Sequence, residues 1–69
     1  MKIFRNEAIL IKDDLEKTFK KYKIKIQLDI NNEILESIYL IVDDKIKLID
    51  IDKFTKLSEL YNHINTLLI

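Results

Sequence analysis

From Lys23 to Ile30 the chain reads Lys-Ile-Lys-Ile-Gln-Leu-Asp-Ile, polar and apolar in strict turn. Successive side chains of a strand point to opposite faces, so this segment predicts a strand with one buried face. Asn31-Asn32-Glu33 follows, and asparagine tolerates left-handed backbone better than any residue except glycine, which predicts a tight hairpin. With residues 31 to 33 as the loop, Ile30 faces Ile34, Ile26 faces Ile38 and Ile24 faces Leu40, and only Leu28 opposite Glu36 spoils the register.

The run from Ile34 to Val42 is ambiguous, because Ile34, Leu35, Ile38, Ile41 and Val42 also satisfy helical spacing. Its β-branched and aromatic residues, and the strand signals on both sides, favour a second strand. Asp43-Asp44 then predicts a turn into a third strand, Lys45 to Ile51, whose phase changes near Leu48-Ile49 and suggests a bulge. Further on, Leu57, Leu60, Tyr61, Ile64, Leu67 and Leu68 fall on one face of a helix, with Thr55 or Asp52 as its cap. Towards the N-terminus, Ile11, Leu15, Thr18, Phe19 and Tyr22 form a second helical stripe, with Asp13 and Glu16 as a candidate capping box. That helix begins either near Asn6 or only at Asp13, and in the later case residues 2–4 and 8–11 could add short strands.

The expected fold is therefore α+β: helix, three-stranded antiparallel meander, helix (αβββα), with two helices covering one sheet face in a two-layer sandwich. Residues 1–69 make one small globular domain, since no second core could be built from so short a chain. The other sheet face would carry Lys25, Gln27, Leu35, Ser37, Tyr39 and Ile41, a mixture of polar and large apolar groups that suits a contact surface. The competing reading is an ordinary solvated face, which antiparallel sheets commonly keep.

Composition narrows the chemistry. With no cysteine, disulfide scaffolding, thiol catalysis and cysteine-ligated zinc are excluded. With no glycine, the phosphate-cradling glycine loops and the glycine-framed nucleophile elbow are excluded too, which leaves Ser37 and Ser58 without that support. The single histidine, His63, has no local partner and reads as a surface residue. Asp43, Asp44, Asp50 and Asp52 offer oxygen ligands for a hard cation, but turn formation and helix capping explain them more simply. No catalytic, cofactor-binding or metal-ligating residue is assigned, and the chain is not expected to be an enzyme.

Lysine plus arginine balance aspartate plus glutamate at 12 each, which argues against a protein that coats nucleic acid. The densest cluster of charge is Lys17, Lys20, Lys21, Lys23 and Lys25, a candidate patch for an acidic partner or a phosphate backbone. Lysines also suit a helix C-terminus and an edge strand on their own account. No signal peptide or membrane span fits the N-terminus, so a cytoplasmic protein is expected. The three terminal apolar residues, Leu67-Leu68-Ile69, either cover the sheet or meet another copy in an oligomer.

The order α-β-β-β-α is similar to that of the double-stranded RNA-binding domain. That family's Gly-Pro-x-His loop and Lys-Lys-x-Ala-Lys helix opening have no counterpart in Asn31-Asn32-Glu33 or Thr55-Lys56-Leu57-Ser58-Glu59, so RNA binding is not implied. The order also resembles that of some small phage anti-CRISPR proteins, which are cysteine-poor and act by occupying a nuclease's nucleic-acid or partner surface. Leu35-Glu36-Ser37-Ile38 resembles the attachment site of acyl carrier proteins, which would make the chain helical and place phosphopantetheine on Ser37. The expectation that follows is a non-enzymatic binding protein, in its most concrete form a phage or mobile-element inhibitor resembling anti-CRISPR proteins or antitoxins. Lys21, Lys23, Lys25, Gln27, Tyr39 and Ile41 are its candidate partner-binding residues, and a protein is the expected partner. The alternatives are an acyl carrier modified at Ser37 and a nucleic-acid-binding module using the Lys17–Lys25 patch.

Overall fold

In the computed structural model, which describes residues 1–69, the first helix, α1, spans Arg5–Thr18. It buries Ala8, Ile11 and Leu15, one residue per turn on a single face. The earlier of the two expected starts is the one adopted, so Asp13 and Glu16 lie inside α1 rather than at its cap. The chain before α1 is tied to the sheet: Leu35 N–H donates to the Ile3 carbonyl at 2.8 Å and Arg5 N–H to the Glu33 carbonyl at 2.9 Å. These bonds make a single antiparallel bridge, Phe4 to Ile34, while residues 8–11 are helical and add no strand.

Three antiparallel strands follow in the order β1 (Lys25–Asn31), β2 (Ile34–Val42) and β3 (Lys45–Asp50), with β2 central. The 34–42 run is thus a strand, and Ser37 lies in the middle of it, which removes the helical carrier arrangement. The first hairpin loop is two residues long, Asn32-Glu33, and Asn31 pairs with Ile34. Both loop residues have positive φ, 53° and 66°, the geometry whose twist matches that of the flanking strands. Glu33 is an unusual residue there, and it is held by the Arg5 backbone bond and by an exposed Arg5–Glu33 ion pair at 2.9 Å.

The register differs from the expected one, and its single flaw shows why. Leu28 pairs with Ile38 and Ile26 with Leu40, while Ile30 pairs with Leu35, so Glu36 is an extra, unpaired residue on β2. This β-bulge shifts the phase by one residue. Leu35, expected on the outer face, is consequently buried on the inner one at 2% exposure. The mismatch of Leu28 with Glu36 is removed because Glu36 faces no partner. The bulge expected in β3 does not occur, since its pairing with β2 runs unbroken from Lys45 to Asp50.

After β3 a short 3-10 turn, Ile51–Lys53, is capped by Asp50, whose carboxylate accepts from Asp52 N–H at 3.0 Å. Helix α2 spans Leu57–Leu68 and buries Leu60 and Ile64. Neither Thr55 nor Asp52 caps it directly. Glu59 does so from within, accepting from the Thr55 N–H at 2.8 Å, the Thr55 hydroxyl at 2.9 Å and the Lys56 N–H at 3.2 Å. These hydrogen bonds, led by the Thr55 backbone, hold its carboxyl below the usual range.

The two helices and the inner sheet face enclose one core of Ile3, Ala8, Ile11, Leu15, Phe19, Ile24, Ile26, Leu35, Ile38, Leu40, Ile49, Ile51, Leu60 and Ile64. No buried polar side chain interrupts it. Leu67 and Leu68 pack against this core, and only Ile69 of the terminal run stands in solvent. No helix is long and apolar enough to cross a membrane.

Candidate functional site

The sheet is covered on one side only, and its uncovered face is ordered in cross-strand rows. Lys25, Ile41 and Ile46 form the first, Gln27, Tyr39 and Leu48 the second, and Asp29, Ser37 and Asp50 the third. Residues directly opposite one another in adjacent strands share a face, so four of the expected partner-binding residues, Lys25, Gln27, Tyr39 and Ile41, lie together. Sequence reasoning missed Ile46 and Leu48, which are 66% and 62% exposed. The unbroken alternation of β3 puts Lys45, Lys47 and Ile49 on the core side and Ile46, Leu48 and Asp50 outside. Lysine tolerates the inward position because β3 is an edge strand and a long side chain can carry its ammonium out to water.

The outer face is thus an apolar centre of Tyr39, Ile41, Ile46 and Leu48 between a basic end at Lys25 and an acidic end at Asp29 and Asp50. Phe4 and Ile34 extend it beyond the acidic row, and Phe4 is exposed. On the opposite edge, Glu16 of α1 accepts from the Ile26 N–H at 3.3 Å while pairing with Lys12 at 3.3 Å. One outward-pointing donor of β1 is thereby satisfied within the chain, which blunts that edge against pairing.

Lys21 and Lys23 lie elsewhere. They border a half-open hollow of about 500 Å³ with Lys45, Lys47 and Asp43, floored by Tyr22, Val42, Leu67 and Leu68. Lys23 closes the 3-10 turn Lys20–Tyr22 in a left-handed conformation, φ 54° and ψ 44°. The Lys21 ammonium sits 5.1 Å from the centre of the Tyr22 ring, within cation–π range. Lys47 donates to the Leu67 carbonyl at 3.5 Å, near the negative end of the α2 dipole. The continuous lysine patch read from the sequence is therefore divided: Lys25 belongs to the sheet face, and Lys21 and Lys23 to the hollow.

The remaining polar candidates have structural roles. His63 is exposed, with its ring 5.3 Å from that of Phe54. Asp43 and Asp44 occupy a second two-residue turn, with φ of 50° and 64°. No three or more histidine, aspartate or glutamate side chains converge as a metal site would require. Tyr61 donates its hydroxyl to Asp14, joining α2 to α1, and partial burial, followed by that hydrogen bond and the Asp14 charge, pushes its phenol up to about 12. Comparison with protein-family profiles, curated proteins and solved structures gives no match for this chain.

Proposed function

We propose that this chain is a non-enzymatic binding protein that docks a protein partner on the outer sheet face, with Tyr39, Ile41, Ile46 and Leu48 at the centre of the contact. A small inhibitor that occupies a partner's surface, of the kind phages and mobile elements encode, is the most concrete form of the proposal. The observation that carries it is the exposure of Ile46 and Leu48 on a rigid sheet beside Tyr39 and Ile41. Scattered surface hydrophobes need no explanation, but contiguous apolar groups rimmed by charge mark interaction sites. Each large aliphatic taken from water contributes about 1.5–3 kcal/mol, and a tyrosine among them supplies a rigid ring with a polar tip.

A photo-reactive residue introduced at Leu48, and separately at Asn62 on the far side of the protein, tests this in lysate of the native cell. The expected result is one discrete heterologous product from position 48, competed by excess unlabelled protein but not by a Tyr39→Ala variant. Equal labelling from both positions, or a product containing only this chain, would overturn the reading.

A further inference from the structure

The hollow beside Tyr22 collects more positive charge than its lining balances. Four of the 12 cationic side chains of a chain with zero net charge, Lys21, Lys23, Lys45 and Lys47, border it, against one carboxylate, Asp43. They come from two stretches brought together only by the fold. The protein's two ion pairs, Arg5–Glu33 and Lys12–Glu16, involve none of them, and of their ammonium groups only that of Lys47 donates a hydrogen bond, to the Leu67 carbonyl. Clustered ammonium groups without counter-charges repel one another and favour a bound anion.

Charge alone would suit any anion, and the floor narrows the choice. Val42, Leu67, Leu68 and the half-buried Tyr22 present apolar surface below the lysines, which a bare inorganic ion cannot use. The volume of about 500 Å³ lies within the range of small-molecule sites. Lysines bind phosphate as point charges, and an aromatic ring can stack a planar group such as a base on its face. We propose that the hollow binds a nucleoside diphosphate, its phosphates among Lys21, Lys23, Lys45 and Lys47 and its base against Tyr22, Leu67 and Leu68. This site is separate from the outer sheet face, and the proposal does not rest on a partner docking there.

Titration of the intact, isotope-labelled protein with ADP, pyrophosphate and adenosine, followed by amide NMR shifts, tests the assignment. ADP is expected to give saturable shifts confined to residues 21–23, 42–47 and 67–68, with pyrophosphate binding at least about tenfold more weakly and adenosine weaker still. Lys23→Gln with Lys45→Gln should weaken ADP at least about tenfold, whereas Lys53→Gln with Lys56→Gln, in the segment leading into α2, should change it less than about twofold. Should the double variant not fold, Lys21→Gln alone carries the same expectation at about threefold. Absence of saturable shifts, pyrophosphate binding as tightly as ADP, or equal weakening by the control pair would each overturn the proposal. So would an oligothymidylate that binds far more tightly than ADP and shifts residues 21–23 and 45–47, an outcome that would assign the lysines to nucleic acid.

Discussion

Replacing Asp44 by glycine should stabilise this protein, and replacing it by alanine should destabilise it. Asp44 is the second residue of the turn between β2 and β3 and has φ 64°. For an L-residue the left-handed region costs roughly 1–2 kcal/mol, less for aspartate, whose short polar side chain eases it. Glycine removes that cost but brings about 0.5–1 kcal/mol of extra chain entropy to be lost on folding. The net gain is about 0.5 kcal/mol. Alanine keeps the Cβ and loses the local help of the carboxylate, so with the entropy of glycine counted the gap between the two variants is about 1 kcal/mol. Asp44 is a clean probe because it belongs to neither ion pair of the protein. In a domain of this size each kcal/mol corresponds to roughly 4–8 °C in Tm, well within reach of thermal and urea unfolding followed by circular dichroism. Alanine and glycine variants of equal stability would refute the left-handed assignment, and with it the two-residue turn that sets the β2–β3 register.

Three further outcomes are expected. Ile26→Ala should cost about 2–5 kcal/mol in urea unfolding as a buried aliphatic, whereas Tyr39→Ala on the outer face should cost about 1 kcal/mol or less; the reverse order would mean that the faces are exchanged. The Tyr61 phenol ionises at its ordinary 10.0 in the unfolded chain but at about 12 when folded, so its contribution is whole below 10.0 and is lost as pH rises through that window. Tyr61→Phe should remove this part of the alkaline loss, and parallel stability curves for the two proteins would contradict it. The Glu59 carboxyl is held below 4.5, so its contribution is present above that value and is lost as pH falls through the lower folded one. Glu59→Gln should flatten that acid limb in stability measured by circular dichroism, and an unchanged limb would count against the cap.

The elements with strong periodicity were legible in the chain. The stripe of α2 and the alternation of β1 each follow from which side chains can reach a common core, and both are found, with β1 starting at Lys25 rather than Lys23 and Leu57 of the α2 stripe left exposed. The bulge was visible only as a defect, the opposition of Leu28 and Glu36, because one unpaired residue leaves no pattern of its own. In β3 the apolar run 48–49 suggested a break, yet an edge strand can send lysines inward and leave Ile46 and Leu48 outside, so a regular strand resulted. That choice hid half of the apolar centre of the outer face. The left-handed backbone of Lys23 carries no sequence signal. The hollow depends on tertiary folding, since Lys21 and Lys45 border it together only once β1 has paired with β2 and the end of α2 lies beside them.

The unpaired Glu36 also bears on how the gene can change length. On either side of it the pairs Ile30–Leu35 and Asp29–Ser37 follow one another directly along β1. Without Glu36, Leu35 would still point inward and Ser37 outward, and the pairing of β2 with both neighbouring strands would stand as it is. Loss of one codon from a central strand ordinarily turns every later side chain to the wrong face. Here it would yield a straight hairpin, with the adjustment falling on the Phe4–Ile34 bridge and the approach to α1. The central strand, by rule the least forgiving part of a sheet, therefore contains a position where a single-residue deletion leaves the face assignment of the rest of the strand intact.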